Sequence, residues 1–240
     1  MRTALVTGGS GGIGKACARK LCELGYDVVL SARREDPLRA AAEEIGARYT
    51  VADASDPIGF AGAIDALDTI DLVVHAAGVL GGTYARKQTF EQWRAIMSAN
   101  LDSCFVVTSA VLPRMRAGSR LVFISSSAAH EPMMARTAYS ASKAGMNAFA
   151  RALALEVDRD GIAVHIVTPG PVETEMLQDV PFEMHAIQAS DVADAVAWLD
   201  TVDPSVDLPE IRLQAVRRGP FARPPIVPPE ARRRRLAQQE

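Results

Sequence analysis

The sequence predicts one doubly wound α/β domain, a parallel sheet covered by helices on both faces. Three observations predict it. Short apolar runs alternate with longer helical patterns along most of the chain. The runs are rich in Val, Ile and Leu and barely alternate in polarity, as strands buried on both faces do. A glycine-rich loop separates the first run from the first helical stretch, where such sheets take phosphate groups.

The expected strands are Thr3–Thr7, Asp27–Ser31, Arg48–Val51, Leu72–His75, Arg120–Ile124, Ala163–Val167 and Ile211–Val216. One helix follows Gly12 and stops at Gly25, a residue suited to a C′ position. Another runs from near Pro37 to Gly46, and a third covers Ile58–Leu67. A long one starts at Thr89, where Thr89-Phe90-Glu91-Gln92 has the form of a capping box. Two more are expected over Ala138–Asp158 and over Asp191–Leu199, the latter with Ser190 as N-cap. Residues 1–216 form the domain. Residues 217–240 form a tail, flexible or packed on a neighbouring subunit, whose five prolines resist helix and favour extended chain.

Composition excludes several classes. A chain of 240 residues, 48% hydrophobic and 23% charged, has enough apolar material for a sizeable core. A net charge of −3 leaves no basic field for nucleic acid or an anionic membrane, and Arg232–Arg235 alone are a weak argument for one. No apolar run reaches the ~18 residues of a membrane span. Arg2-Thr3-Ala4-Leu5-Val6 reads as a core strand rather than a leader. Cys17, Cys22 and Cys104 have no spacing for a disulfide framework or a zinc site, so no metal is expected. The expected setting is the cytoplasm.

Two motifs carry chemistry. In Thr7-Gly8-Gly9-Ser10-Gly11-Gly12-Ile13-Gly14 the glycines permit a tight turn and close approach of a pyrophosphate to the helix N-terminus, which makes Gly8, Ser10, Gly12, Ile13 and Gly14 cofactor contacts. Tyr139 and Lys143 lie four residues apart, on one face of a helix. A phenol titrates near ~10 and is a poor base at neutral pH; a neighbouring ammonium favours the phenolate and lowers that value.

The TGxxxGxG loop and the YxxxK pair, in this order, resemble the short-chain dehydrogenase/reductase family, and the resemblance covers about residues 3–200. It implies a Rossmann-like fold and a catalytic tetrad of Asn100, Ser126, Tyr139 and Lys143. Ser126, chosen on its spacing 13 residues before Tyr139, would hydrogen-bond the substrate oxygen, with Ser125 as the alternative. Tyr139 would donate or remove the proton, Lys143 would also hold the nicotinamide ribose, and Asn100 would disturb its helix and keep a water beside the lysine. The implied cofactor contacts continue with Asp53 at the adenine, with Ala76, Ala77 and Gly78 against the adenosine, and with Pro169, Gly170, Val172 and Thr174 at the carboxamide. The chain departs from the family at His75, read as a structural hydrogen-bonder, at Thr168 in place of an asparagine, and over Asp207–Leu213.

The end of the second strand bears on the cofactor. NAD enzymes of this fold put a carboxylate there for the ribose 2′-hydroxyl. Ala32 stands in that place and Arg33 follows, whose guanidinium can fork onto a 2′-phosphate. NADP(H) is therefore expected, with NAD(H) as the lesser alternative. Expected partners are a small, mainly apolar carbonyl or alcohol, in a pocket including Val79, Leu80, Ala128, His130, Met133, Met134, Phe182 and Met184, and further copies of the chain. A homodimer or homotetramer is expected, through Phe105, Val106, Met146 and Phe149. The rival reading is a catalytically silent dinucleotide-binding sensor or scaffold.

Overall fold

A computed structural model describes residues 1–237 except 179, 181 and 204, with the backbone alone over 234–237. The chain enters through β1 (Thr3–Thr7), crosses by α1 (Gly12–Glu23) to β2 (Asp27–Ala32), and by α2 (Glu35–Ile45) to β3 (Arg48–Val51). After α3 (Pro57–Ala63) comes β4 (Leu72–His75). A continuous helical path follows: α4 (Phe90–Met97), a π turn (Ser98–Asp102) and α5 (Ser103–Val111). Then come β5 (Arg120–Ile124), α6 (Thr137–Val157), β6 (Ala163–Pro169), β7 (Val172–Glu173), β8 (Ile187–Gln188), α7 (Ala189–Leu199), β9 (Glu210–Leu213) and α8 (Pro229–Ala237).

Among the described residues seven strands make one wholly parallel sheet, in the order β3-β2-β1-β4-β5-β6-β9, and β7 and β8 pair separately. The order reverses between β1 and β4, so their carboxyl ends open a crevice. Successive strand residues feed opposite cores. Ala4, Val6, Leu72, Val74, Val122 and Ile124 pack with α1, α2 and α7. Leu5, Val73, Leu121 and Phe123 pack with Phe60 of α3, Val107 of α5 and Met146 of α6. Burial on both faces is why these strands read as unbroken apolar runs.

Most expected elements form within a residue or two, and the Thr89 capping box is present, with Thr89 and Gln92 exchanging hydrogen bonds of 3.1 and 3.2 Å. The differences have physical reasons. The last strand stops at Leu213 rather than Val216, because its partner β6 ends at Pro169, opposite Leu213. α7 is capped by Gln188, not Ser190: Asp191 turns back to accept from the Gln188 N–H at 2.8 Å. The tail is not extended throughout, since Pro229 opens α8 at the one helical position where a missing N–H costs nothing. The tail also docks on its own chain. Met184 and Ile226 form an antiparallel bridge, Arg223 pairs with Asp191 at 2.7 Å, and Ala231 is buried. Within the path Phe90–Arg114 an 18-residue window has a mean hydropathy of 1.5, enough by length and composition for a membrane span, although polar residues interrupt it so that no single apolar run is that long. It packs against α3 and α6.

Candidate active site

A cleft of about 390 Å³ opens at the carboxyl ends of β1, β2 and β4. Gly8, Ser10, Gly12, Ile13 and Gly14 line one wall, Arg33 and Asp53 another, and Ala76, Ala77 and Gly78 the base, with Thr174 across from them. The loop needs its glycines: Gly8 has φ of +68°, and a Cβ there would lie 2.8 Å from the Ala76 backbone. A Cβ on Gly14 would meet the Gly8 carbonyl at 2.3 Å, so α1 packs directly against the loop. The start of α1 has neither a side-chain cap nor an acidic residue in its first turn. Its free N–H groups and positive dipole end therefore face the cleft unopposed, which fits the pyrophosphate of a dinucleotide.

At the far wall Arg33 and Asp53 approach to 4.0 Å. Asp53 also accepts from the N–H and hydroxyl of Ser55, at 2.9 and 2.7 Å. Burial raises its carboxyl, but these bonds and Arg33 outweigh that and hold it below the ordinary range. Asp36, at the start of α2, is engaged by Arg39 at 3.0 Å. From the segment after β6, Thr174, Glu175 and Met176 line this cleft. Gly170 is pinned against β9, its N–H donating to the Leu213 carbonyl at 2.8 Å, and the carbonyl of buried Val172 accepts from the Thr174 hydroxyl at 3.3 Å.

Asn100, Ser126, Tyr139 and Lys143 converge beyond Gly78 and Val79. A Cβ on Gly78 would touch both the Asn100 Oδ1 (2.9 Å) and the Lys143 Nζ (3.6 Å). Asn100 lies in the π turn, fully buried; its amide accepts from the Val79 N–H at 2.7 Å and donates to the Val79 carbonyl and to Ser142 at 3.1 and 3.0 Å. Ser126 neighbours the Tyr139 phenol and favours its ionised form. Ser125 turns the other way, donating to Asn147 at 2.6 Å. Lys143 is buried and donates to the Ile124 carbonyl at 2.8 Å. Burial pulls its ammonium down to about 8. Burial also raises Tyr139, against the lowering effects of Ser126 and Arg136. This corrects the expected lowering by Lys143: with that ammonium turned to Ile124, desolvation governs the phenol.

Sequence reasoning missed two buried networks. Thr7, which accepts from the Ala77 N–H at 3.2 Å, donates to His75 Nδ1 at 3.0 Å; His75 Nε2 then donates to Ser103 at 3.1 Å, and Ser103 donates to the Ala99 carbonyl at 2.9 Å. Burial and Lys143 push His75 down to about 3, so it stays neutral, as suits a structural hydrogen-bonder. The second network corrects the reading of His130 as a substrate contact. Glu210 of β9 takes its Nε2 at 2.6 Å, and Arg212 donates to its Nδ1 at 3.1 Å. The signal available was Glu210 and Arg212, two residues apart and so on one face of a short strand.

The geometry combines a glycine-loop cleft that fits a dinucleotide with a buried asparagine and lysine that meet at Gly78 in its lining. The family model for short chain dehydrogenases matches residues 2–184, and the chain belongs to that family. It is 30% identical to an uncharacterized oxidoreductase of Staphylococcus epidermidis over 90% of this chain and 97% of that one. It is 34% identical to the acetoacetyl-CoA reductase of Cupriavidus necator over 75% and 78%. Its fold matches a short chain dehydrogenase from Burkholderia cenocepacia J2315 in complex with NADP, with a TM-score of 0.80, 28% identity, and coverage of 89% and 96%.

Proposed function

We propose that the protein is an oxidoreductase preferring NADP(H), which moves a hydride between the nicotinamide and the carbon of a small, mainly apolar ketone, aldehyde or secondary alcohol, with Tyr139 as acid/base. The observation that carries this reading is the meeting of Asn100 Oδ1 and Lys143 Nζ at Gly78, a residue lining the cleft, with Tyr139 on the same face of α6 as Lys143 and Ser126 acting on its phenol. When bound, the cofactor supplies or accepts the hydride. The chain's own residues do the rest. Ser126 orients the substrate oxygen by hydrogen bonding. Tyr139, kept protonated by burial, gives that oxygen a proton in reduction and takes it back in oxidation. Lys143 holds the ribose hydroxyls and feeds protons to Tyr139. Asn100 locks the Val79 backbone and Ser142, which keeps the π turn against α6. Arg33 exchanges Asp53 for the 2′-phosphate, while Ala32 offers no carboxylate to repel it. The three free thiols suit the reducing cytoplasm in which we place the protein.

The test is loss of reduced-nicotinamide absorbance with a panel of ketones, aldehydes and 3-oxoacyl thioesters, the last because one relative is an acetoacetyl-CoA reductase. Turnover is expected with NADPH at a kcat/KM at least ~10-fold above that with NADH, the value of one charge-assisted contact. Ala32→Asp narrows or inverts that ratio. No turnover with any member of the panel rejects the activity, and equal or better kcat/KM with NADH rejects the cofactor preference.

A further inference from the structure

Glu210 and its neighbours join two places where the chain departs from its family, Thr168 and the segment ending at Leu213. The Thr168 hydroxyl donates to Glu210 Oε1 at 2.8 Å, so the departures meet in one hydrogen bond. The same oxygen accepts from His130 Nε2 at 2.6 Å and from Arg212 Nε at 3.1 Å, and Oε2 accepts from Arg151 at 2.9 Å. The side chain is only 12% exposed. Burial alone raises such a carboxyl, yet the donors outweigh it and hold Glu210 at about 2. It is thus a permanent anion bonded to groups from β6, β9, α6 and the turn after β5.

That turn matters because of what it carries. Ser126 is the N-cap of the 3₁₀ turn Ser127–Ala129, and His130 closes it. Both flanks of Ser126 are tied. Ser125 donates to Asn147 Oδ1 at 2.6 Å, and His130 is held by Glu210, with the Asn147 amide 3.2 Å from its Nε2. Asn147 lies one helical turn beyond Lys143 on α6, the helix that also carries Tyr139. Arg212 Nη2 lies 3.1 Å from His130 Nδ1 and 3.2 Å from Nε2; the Glu210 carboxylate at 2.6 Å, which can only accept, assigns the ring proton to Nε2. The turn that carries Ser126 is therefore held by two anchors, Asn147 and Glu210.

We propose that Glu210 is a positioning residue for this reaction: through His130 it fixes the turn that presents Ser126 to Tyr139 and the substrate oxygen. The proposal rests on the reading of Ser126 and Tyr139 given above. A misplacement of about 1 Å in a catalytic group is worth up to ~10²-fold in rate, so the effect belongs in kcat.

The experiment uses the full chain and the variants Glu210→Ala, Glu210→Gln, His130→Ala and Arg151→Ala. It measures kcat, substrate KM, NADPH affinity by fluorescence, and amide hydrogen exchange at Ala129, His130 and Glu131. These amides bond to the Ser126 and Ser127 carbonyls at 2.9, 3.0 and 2.8 Å and so report directly on the turn. Glu210→Ala is expected to lower kcat by ~10-fold or more, to leave NADPH affinity within about twofold, and to speed exchange at the three amides. Glu210→Gln, which keeps an acceptor for Thr168 and His130, restores most of the loss. Arg151→Ala, which removes only an exposed partner of Oε2, changes neither readout. If Glu210→Ala does not fold, His130→Ala cuts the same link and carries the same expectation. Parental kcat and parental exchange in Glu210→Ala overturn the proposal, as does a lowered Tm with both unchanged, or an equal effect of Arg151→Ala. Ser126→Ala separates this from failure of the functional reading: if it keeps full activity, the role of Ser126 fails, while the exchange data still decide whether Glu210 holds the turn.

Discussion

His75 sits at the end of β4 with both ring nitrogens satisfied, between Thr7 and Ser103. Its burial has a thermodynamic consequence. The unfolded chain binds a proton at His75 below about 6.5, whereas the folded one resists until about 3. The folded value is depressed, so the stabilisation is complete above the unfolded value and is lost as pH falls from 6.5 towards 3. The loss is on the order of a few kcal/mol across that window. His75→Asn, which cannot titrate, is expected to cost about 1 kcal/mol at neutral pH for a lost hydrogen bond. Its stability should then decline less steeply than the parent's between pH 6.5 and 4, as measured by urea denaturation at each pH; parallel curves would show that His75 is not the acid-sensitive group. At this scale the sequence was most informative where spacing alone names a residue. Tyr139, Lys143 and the loop glycines follow from fixed offsets on a helix or in a turn. His130 did not, because its partner Glu210 is 80 residues away and only the fold brings the two together.

The elements were legible where a local rule decides them. Parallel strands buried on both faces announce themselves as apolar runs, and the Thr89 capping box needs only four consecutive residues. Elements whose ends depend on a distant partner were less so. β9 ends where β6 stops offering hydrogen bonds, and nothing in residues 211–216 records that. The tail illustrates the same limit. Its proline density disfavours regular structure, but Ile226 bridges Met184, the Arg223 carbonyl faces His185 Nδ1 at 3.1 Å, and the Glu230 N–H donates to the Gln178 carbonyl at 3.2 Å. These contacts lie beyond Thr174, and the described cleft takes no residue from the tail. Deleting residues 219–240 should therefore leave NADPH affinity within about twofold, while exchange at Met184 and Ile187 rises. Loss of cofactor binding by a folded truncation would make the tail part of the cofactor site.

At the scale of the whole molecule, the exposed apolar side chains bear on assembly. Of the side chains expected at a twofold contact, Met146 and Val106 are buried in the monomer's own core and Phe149 packs edge-on to Phe123 at 5.9 Å. Met146 lies three residues from Lys143, on the inward face of α6, which is why helix membership alone misassigned it. Phe105, 63% exposed, is joined by exposed Phe90 and Leu155 on α4, α5 and α6. Large apolar side chains in water on neighbouring helices favour pairing of two copies. Light scattering at micromolar concentration is expected to give at least twice the chain mass of 25.7 kDa, and Phe105→Glu to reduce it. Particles of chain mass alone would refute assembly.

On the proposed reading the Tyr139 hydroxyl, at the buried start of α6 beside Ser126, moves the proton that accompanies hydride transfer. The most direct measurement is turnover of Tyr139→Phe beside the parent, with NADPH affinity determined on the same samples. The ring and its packing survive this change, and only the acid is removed. A fall in kcat of at least ~10²–10⁴-fold is expected, with cofactor affinity essentially unchanged. A variant whose kcat stays within a few-fold of the parent contradicts it.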